Sequence, residues 1–219
     1  MDLSAIYRDR FNRTGLQRRD GVWRILCRSY FNKIIGADQV VLDLACGYGE
    51  FINNAAAKRR IAIDLNPDAP SFLDRGVEFH LCDAANMNVI ENASVDAVFA
   101  SNFLEHLPDK ETCNRVFREV LRVLRPGGRF MAMGPNIRHC YAEYWDRFDH
   151  ILPLSHRSLE EGLIQAGYEM ERCIPRFLPL TMEGGLPTAD WLVRLYLTVP
   201  IVWPIMGKQF LVIARKPAG

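Results

Sequence analysis

Val40 to Phe51 reads V-V-L-D-L-A-C-G-Y-G-E-F: a short apolar run, an acidic residue, two glycines and the start of a helix. Val40, Val41, Leu42 and Leu44 are aliphatic with no polar alternation, the pattern of a strand buried on both faces of a parallel sheet. Gly47 and Gly49 let the backbone turn sharply and approach a ligand with no Cβ in the way. A dinucleotide would set its pyrophosphate on the following helix N-terminus and would normally want a third glycine for close helix packing. That position is Ile52, and Glu50 puts a carboxylate where the pyrophosphate would lie. The turn therefore favours a ligand without phosphates.

Outward from this turn, the pattern predicts alternating strands and helices. A helix over Leu16–Ile35 precedes it, with Val22, Leu26, Tyr30 and Ile34 as an apolar stripe. A short helix follows the turn, then a second strand through Ile61–Ile63 that ends in Asp64, at the spacing where a βαβ unit places an acceptor for ribose hydroxyls. A third strand, Val77–Cys82, ends in Asp83-Ala84. A fourth, S-V-D-A-V-F-A-S-N, runs into F-L-E-H-L-P-D, so Ser101, Asn102, Glu105 and His106 fall at its carboxyl end, where open α/β sheets bind ligands. Asp109 caps a helix that keeps helical spacing to the stop signal Arg125–Gly128, and R-F-M-A-M-G makes a fifth strand. Ser155 or Ser158 caps the next helix, which stops at Gly167; Tyr168–Ile174 and Lys208–Ala214 are the last two strands.

D-L-A-C-G-Y-G resembles the first motif of class I S-adenosylmethionine-dependent methyltransferases. S-N-F-L-E-H-L-P is similar to the fourth motif of the small-molecule members, and the order helix, L-R-P-G-G, strand repeats the family's pattern. The resemblance covers about Leu16 to Lys216 and is motif-specific from Val40 to Gly134. It implies an α/β fold, a Rossmann-like three-layer sandwich whose seven-stranded, mostly parallel sheet has an antiparallel final strand beside the sixth. It also implies S-adenosyl-L-methionine as cofactor, with S-adenosyl-L-homocysteine as product. Asp43, Ala45, Gly47, Gly49, Asp64 and Leu65 would form the cofactor turn and ribose contact. Asp83 would accept from the adenine amino group with Ala84 beside it, and Ser101, Asn102 and His106 would back the methionine end. His106 is open to two roles, a cofactor contact or a general base with an ordinary pKa near neutrality.

The chain has 219 residues, 49% of them hydrophobic, enough for one domain with a sizeable core, so residues 1–219 are expected as a single methyltransferase domain. A formal net charge of +1 argues against a broad nucleic-acid surface, and neither an amino-methylating N/D-P-P-Y/F motif nor a basic recognition domain is present; no nucleic-acid partner is expected. Residues 1–33 carry eight Lys/Arg and three Asp/Glu, +5, leaving −4 for the rest. The arm containing Tyr7, Arg8, Arg10 and Phe11, with the first helix (1–36 together), is either a lid over the cofactor or a terminus with no fixed partner. Six cysteines far apart, without a C-x-x-C pair, and a polar Arg-rich start lead to the expectation of reduced thiols, a cytoplasmic location and no secretory signal.

The acceptor side is expected in residues 135–157. Tyr141, Tyr144, Trp145 and Asp146 read as substrate-binding, being too polar for core and too aromatic for an ordinary loop. A hydroxyl acceptor would need a base, which His150 with Asp149 or Asp146, or else His106, could supply; a carboxylate acceptor would need none. D-x-x-D-H has metal-ligand residue types but lacks a third site, so no metal is expected. Within the 178–207 insertion, Trp191–Met206 holds Arg194 and two prolines and is too short to span a bilayer; it is either a helix packed on the sheet or an interfacial segment making peripheral membrane contact. The acceptor expected is a small molecule or glycan, and the Y-W-D-x-x-D-H loop with the G-K-Q-F-L-V-I-A-R-K-P ending looks like methyltransferases found with bacterial polysaccharide assembly. A cofactor-binding module without chemistry, and a nicotinamide-dependent oxidoreductase, are the rival classes; Glu50 and Ile52 argue against the second.

Overall fold

The computed structural model describes residues 13–180 and 189–219, with side chains from residue 18 onward. Seven strands, β1 Val40–Leu44, β2 Arg59–Asp64, β3 Val77–Leu81, β4 Val95–Ser101, β5 Leu124–Pro135, β6 Glu169–Leu178 and β7 Gln209–Arg215, form one sheet in the order β3-β2-β1-β4-β5-β7-β6. β1 pairs in parallel with β2 and β4, and β4 with β5. β7 runs antiparallel between β5 and β6.

Alternate residues of each strand feed two separate cores, which is why the strands show no polar alternation. On one face Leu42, Leu44, Val98, Ala100, Phe130 and Ala132 pack under helices α2 (Lys110–Val123) and α4 (His156–Gln165), through Val116, Phe117, Val120, Leu159 and Leu163. On the other, Val41, Ala97, Phe99, Met131 and Met133 pack under α1 (Arg13–Ser29) and α5 (Asp190–Thr198). The short α3 (Tyr141–Tyr144) and α6 (Trp203–Met206) complete the elements used below.

Both helix caps form as the sequence predicts. Asp109 Oδ1 accepts from the Thr112 N–H at 2.7 Å, and Ser155 and Ser158 make a reciprocal capping box at the start of α4. Two expected helices differ. α1 stops at Ser29 rather than Ile35, because Phe31 turns inward, fully buried, to stack among Trp23, Phe51, Phe99 and Phe177. The short helix after the glycine turn is only a run of turns with an Asn53 N–H to Gly49 carbonyl bond of 2.9 Å. Asn53 and Asn54 spend their side chains on backbone partners there, Asn53 on Phe72 and Asp74 and Asn54 on Glu50, the local competition that makes asparagine a poor helix former.

The segment 191–206 packs on the sheet along one side, as the first of its two alternatives expects. Its inner side, Leu197 and Trp203, is buried in the second core, whereas Trp191 (65% exposed), Leu195, Ile201 (79%), Ile205 and Met206 face outward. Among the described residues no helix is long and apolar enough to cross a membrane.

Candidate active site

A cavity of about 1230 Å³ opens at the carboxyl ends of the parallel strands. It exceeds the ~300–1,000 Å³ of an ordinary single-ligand pocket, so cofactor and acceptor can share it. Asp43, Ala45, Gly47, Asp64, Leu65, Asp83, Ala84, Ser101, Asn102, His106, Asp149 and His150 all line it.

The glycine turn is held by carboxylates. Asp64 Oδ2 accepts from the Gly47 N–H at 2.8 Å and Oδ1 from the Asn66 N–H at 2.8 Å, so one side chain ties the end of β2 to the turn after β1. A carboxylate offers about four lone-pair directions, which leaves Asp64 capacity for a ligand hydroxyl. Asp83 Oδ1 accepts from the Ala85 N–H at 2.8 Å in the same way. Ala45 (φ 57°) and Asn102 (φ 49°) both sit in the left-handed region, where alanine is disfavoured by roughly 1–2 kcal/mol. Such strain concentrates where a backbone is shaped for a ligand.

Gly49 works differently from Gly47. It is not among the lining residues; at φ +73° it lies against Leu73, whose Cδ2 would be 2.5 Å from an added Cβ. The expectation that both glycines approach the ligand is corrected on this point: Gly47 faces the cavity and Gly49 packs the turn onto its neighbour.

Burial, then the nearby Glu50 and Asp64 carboxylates, push Asp43 well above the ordinary carboxylate range, against a lowering hydrogen bond from Ile52. Burial also raises Glu50, opposed by Arg19 of α1, whose Nη2 lies 2.8 Å from Oε1. Three carboxylates crowd one turn. A pyrophosphate would find carboxylates here in place of cationic partners, whereas a phosphate-free cofactor needs none. Arg19, Val22, Trp23 and Leu26 of α1 line the cavity, and the arm with Tyr7, Arg8, Arg10 and Phe11, expected as a lid, lies outside the described residues.

The side expected to take the acceptor is assembled by backbone bonds between distant segments. The Glu105 carbonyl accepts from both the Ile151 and Leu152 N–H groups, at 2.8 and 2.9 Å, which fastens the 147–151 stretch to the end of β4. His106 Nδ1 lies 2.9 Å from the Asp149 carbonyl oxygen and 3.4 Å from its Oδ2. A carbonyl can only accept, so Nδ1 is the donor in this bond. The His150 ring stands 5.2 Å from that of His106, centroid to centroid. Glu105, only 3% exposed, completes the group; burial raises its carboxyl to about 7, with His106 lowering it and Asp149 raising it.

The aromatic half of the acceptor loop does not belong to this wall. Tyr144 is fully buried, its hydroxyl donating to the Leu152 carbonyl at 2.6 Å, so its assignment to the acceptor is corrected: α3 turns it inward as the post on which the loop rests. Tyr141, Trp145 and Asp146 are exposed and are not among the lining residues, which come instead from Arg147, Asp149, His150 and Ile151. Sequence reasoning also missed an apolar wall made by Leu178, Leu192, Tyr196 and Val199. The helical spacing of the last three was its only signal. The reason given against a metal, the lack of a third site, fails as well: Glu105, His106 and His150 each offer a ligand atom, all within 4.8 Å of one another.

Residues 42–132 match the family described as Methyltransferase domain. Among curated proteins, the chain is 29% identical over 93 residues to "Probable tRNA methyltransferase 9B" of Mus musculus (42% of this chain, 21% of that protein). It is 31% identical over 118 residues to "Thiol S-methyltransferase TMT1A" of Homo sapiens (49% and 46%). The chain thus spans about a fifth to a half of the length of these relatives. Of solved structures, a SAM dependent methyltransferase from Archaeoglobus fulgidus superposes with a TM-score of 0.63 at 21% identity, covering 90% of this chain and 94% of that one. The [4+2]-cyclase SpnF does so with 0.63 at 20% identity, covering 91% and 81%. Residues 42–132 thus carry a match to the Methyltransferase domain, and the seven-stranded sheet with its antiparallel β7 has the Rossmann-like fold of the S-adenosylmethionine-dependent methyltransferases it superposes on.

Proposed function

We propose that the protein transfers the methyl group of S-adenosyl-L-methionine to an oxygen of a small-molecule or glycan acceptor. The observation that carries this reading is a single cavity joining the carboxylate-braced glycine turn to the polar group at Glu105, His106, Asp149 and His150. The cofactor supplies a methyl group already activated on a sulfonium, so the protein's task is chiefly alignment. Asp64 and the Gly47 turn hold the ribose side, Asp83 and Ala84 the adenine, and Ser101 and Asn102 the amino-acid end. His106, Asp149 and His150 face the acceptor and polarise it, with Ile151 excluding water.

The apolar wall and the outward-facing Trp191, Leu195 and Ile201 support a peripheral contact with lipid, and through it a lipid-linked glycan as acceptor. Six free cysteines support a reducing, cytoplasmic setting. The names of the relatives span a thiol and a tRNA, so both belong in the acceptor panel beside hydroxyl compounds and glycans.

Calorimetric titration with S-adenosylhomocysteine and, in parallel, NADH tests the cofactor; micromolar binding of the first and none of the second is expected. Transfer of labelled methyl to the panel tests the reaction, with a hydroxyl acceptor turning over and tRNA not. Failure of S-adenosylhomocysteine to bind would sink the proposal. The likeness to a [4+2]-cyclase favours one second reading, a cofactor-bound protein that transfers no methyl group; binding without transfer to any class in the panel is its signature.

A further inference from the structure

We infer that Glu105, His106 and His150 form a binding site for one divalent transition-metal ion of the zinc type on the acceptor side of the cavity. This deepens the proposed function, resting on the same cavity and adding a cation to its acceptor wall.

Among the described residues this is the one group of three or more His, Cys, Asp or Glu placed to hold a metal, with one ligand atom from each within 4.8 Å of the others. Ligands on one zinc-like ion stand about 3.3 Å apart, from metal–ligand distances of ~2.0–2.2 Å, so side-chain rotations of about an ångström complete the site. The backbone is already in place. The Glu105 carbonyl holds Ile151 and Leu152, so the carboxylate at 105 and the imidazole at 150 are brought together by main-chain bonds rather than by chance side-chain approach.

The surroundings match what a ligand histidine requires. Metal-bound imidazoles almost always donate their other N–H to a carbonyl or carboxylate, which fixes the tautomer and raises the basicity of the ligating nitrogen. His106 makes that bond to the Asp149 carbonyl, with Asp149 Oδ2 close behind. Glu105 is a carboxylate in a nearly closed environment, only 3% exposed, and a divalent cation would supply the opposite charge that such burial calls for. Two imidazole nitrogens and one carboxylate oxygen are a borderline donor set, which suits zinc, iron(II) or cobalt(II) over magnesium or calcium, and three protein ligands leave positions for an oxygen of the acceptor.

The test uses the full chain, freed of metal by chelator and titrated with cobalt(II) while visible absorption is followed. One equivalent should develop d–d bands, and zinc should abolish them. Glu105→Gln and His150→Asn should each weaken cobalt binding by about 100-fold or more. S-adenosylhomocysteine affinity, measured on the same samples, should stay within about threefold, showing that both variants are folded. Absence of a saturable band, or bands unchanged in both variants, would overturn the site. Cobalt bound stoichiometrically by a protein that does not bind S-adenosylhomocysteine would uphold the metal site and count against the methyltransferase reading, so the two failures are separable.

Discussion

The glycine-turn end and the histidine end of the cavity, proposed to hold the cofactor and the acceptor, are built on different principles. At the cofactor end, each functional carboxylate closes its own strand, and its partners are backbone N–H groups nearby: Asp64 on Gly47 and Asn66, Asp83 on Ala85. At the acceptor end, the functional groups belong to segments far apart in the chain, and the carbonyl of Glu105 joins them. The first is local geometry repeated at the end of each strand. The second is a single long-range junction, with Tyr144 beneath it as a buried post.

If that contrast is right, damage to the post should be structural and damage to the turn should be a loss of binding. Tyr144→Ala should cost about 3–5 kcal/mol of stability by denaturant unfolding, as for other buried aromatics, while Trp145→Ala, half-exposed and absent from the cavity lining, should cost under about 0.5 kcal/mol. Equal losses from both would break the division of the loop into post and surface. Asp64→Ala should weaken S-adenosylhomocysteine by at least about 100-fold, near 2.7 kcal/mol, in calorimetry, since it removes both the ligand acceptor and the brace on Gly47. An unaffected Kd would place the cofactor elsewhere.

Smaller changes sharpen the comparison. Gly49→Ala forces a left-handed alanine against Leu73 and should destabilise by about 1–2 kcal/mol, with cofactor affinity changed less than by Asp64→Ala. A larger loss of affinity than of stability would return Gly49 to the ligand surface. Ser155→Ala, which opens the capping box of α4, should cost about 1 kcal/mol and leave S-adenosylhomocysteine binding untouched.

What could be read from the sequence and what could not follow the same line. Strand ends, caps and the glycine turn were legible because their partners lie within a few residues or one βαβ unit; Asp109, Ser155 and the strand through Val40–Leu44 are cases in point. Tyr144 was misread because a polar aromatic beside Trp145 and Asp146 looks like surface, and only its hydrogen bond to Leu152 shows that the hydroxyl can be satisfied inside. The halt of α1 at Ser29 was equally hidden, since it depends on the aromatic partners that Phe31 finds in other elements.

The sequence by itself determined the doubly covered sheet, the phosphate-free character of the cofactor turn and the carboxylates that close the strands, because periodicity, glycine spacing and strand-end chemistry act over short chain distances. Only the tertiary structure decided which half of the acceptor loop faces the cavity, that α5 lends it an apolar wall, and that Glu105 and His106 meet His150. Those pairings hang on main-chain hydrogen bonds and core contacts between segments far apart along the chain, and no local pattern encodes such a closure.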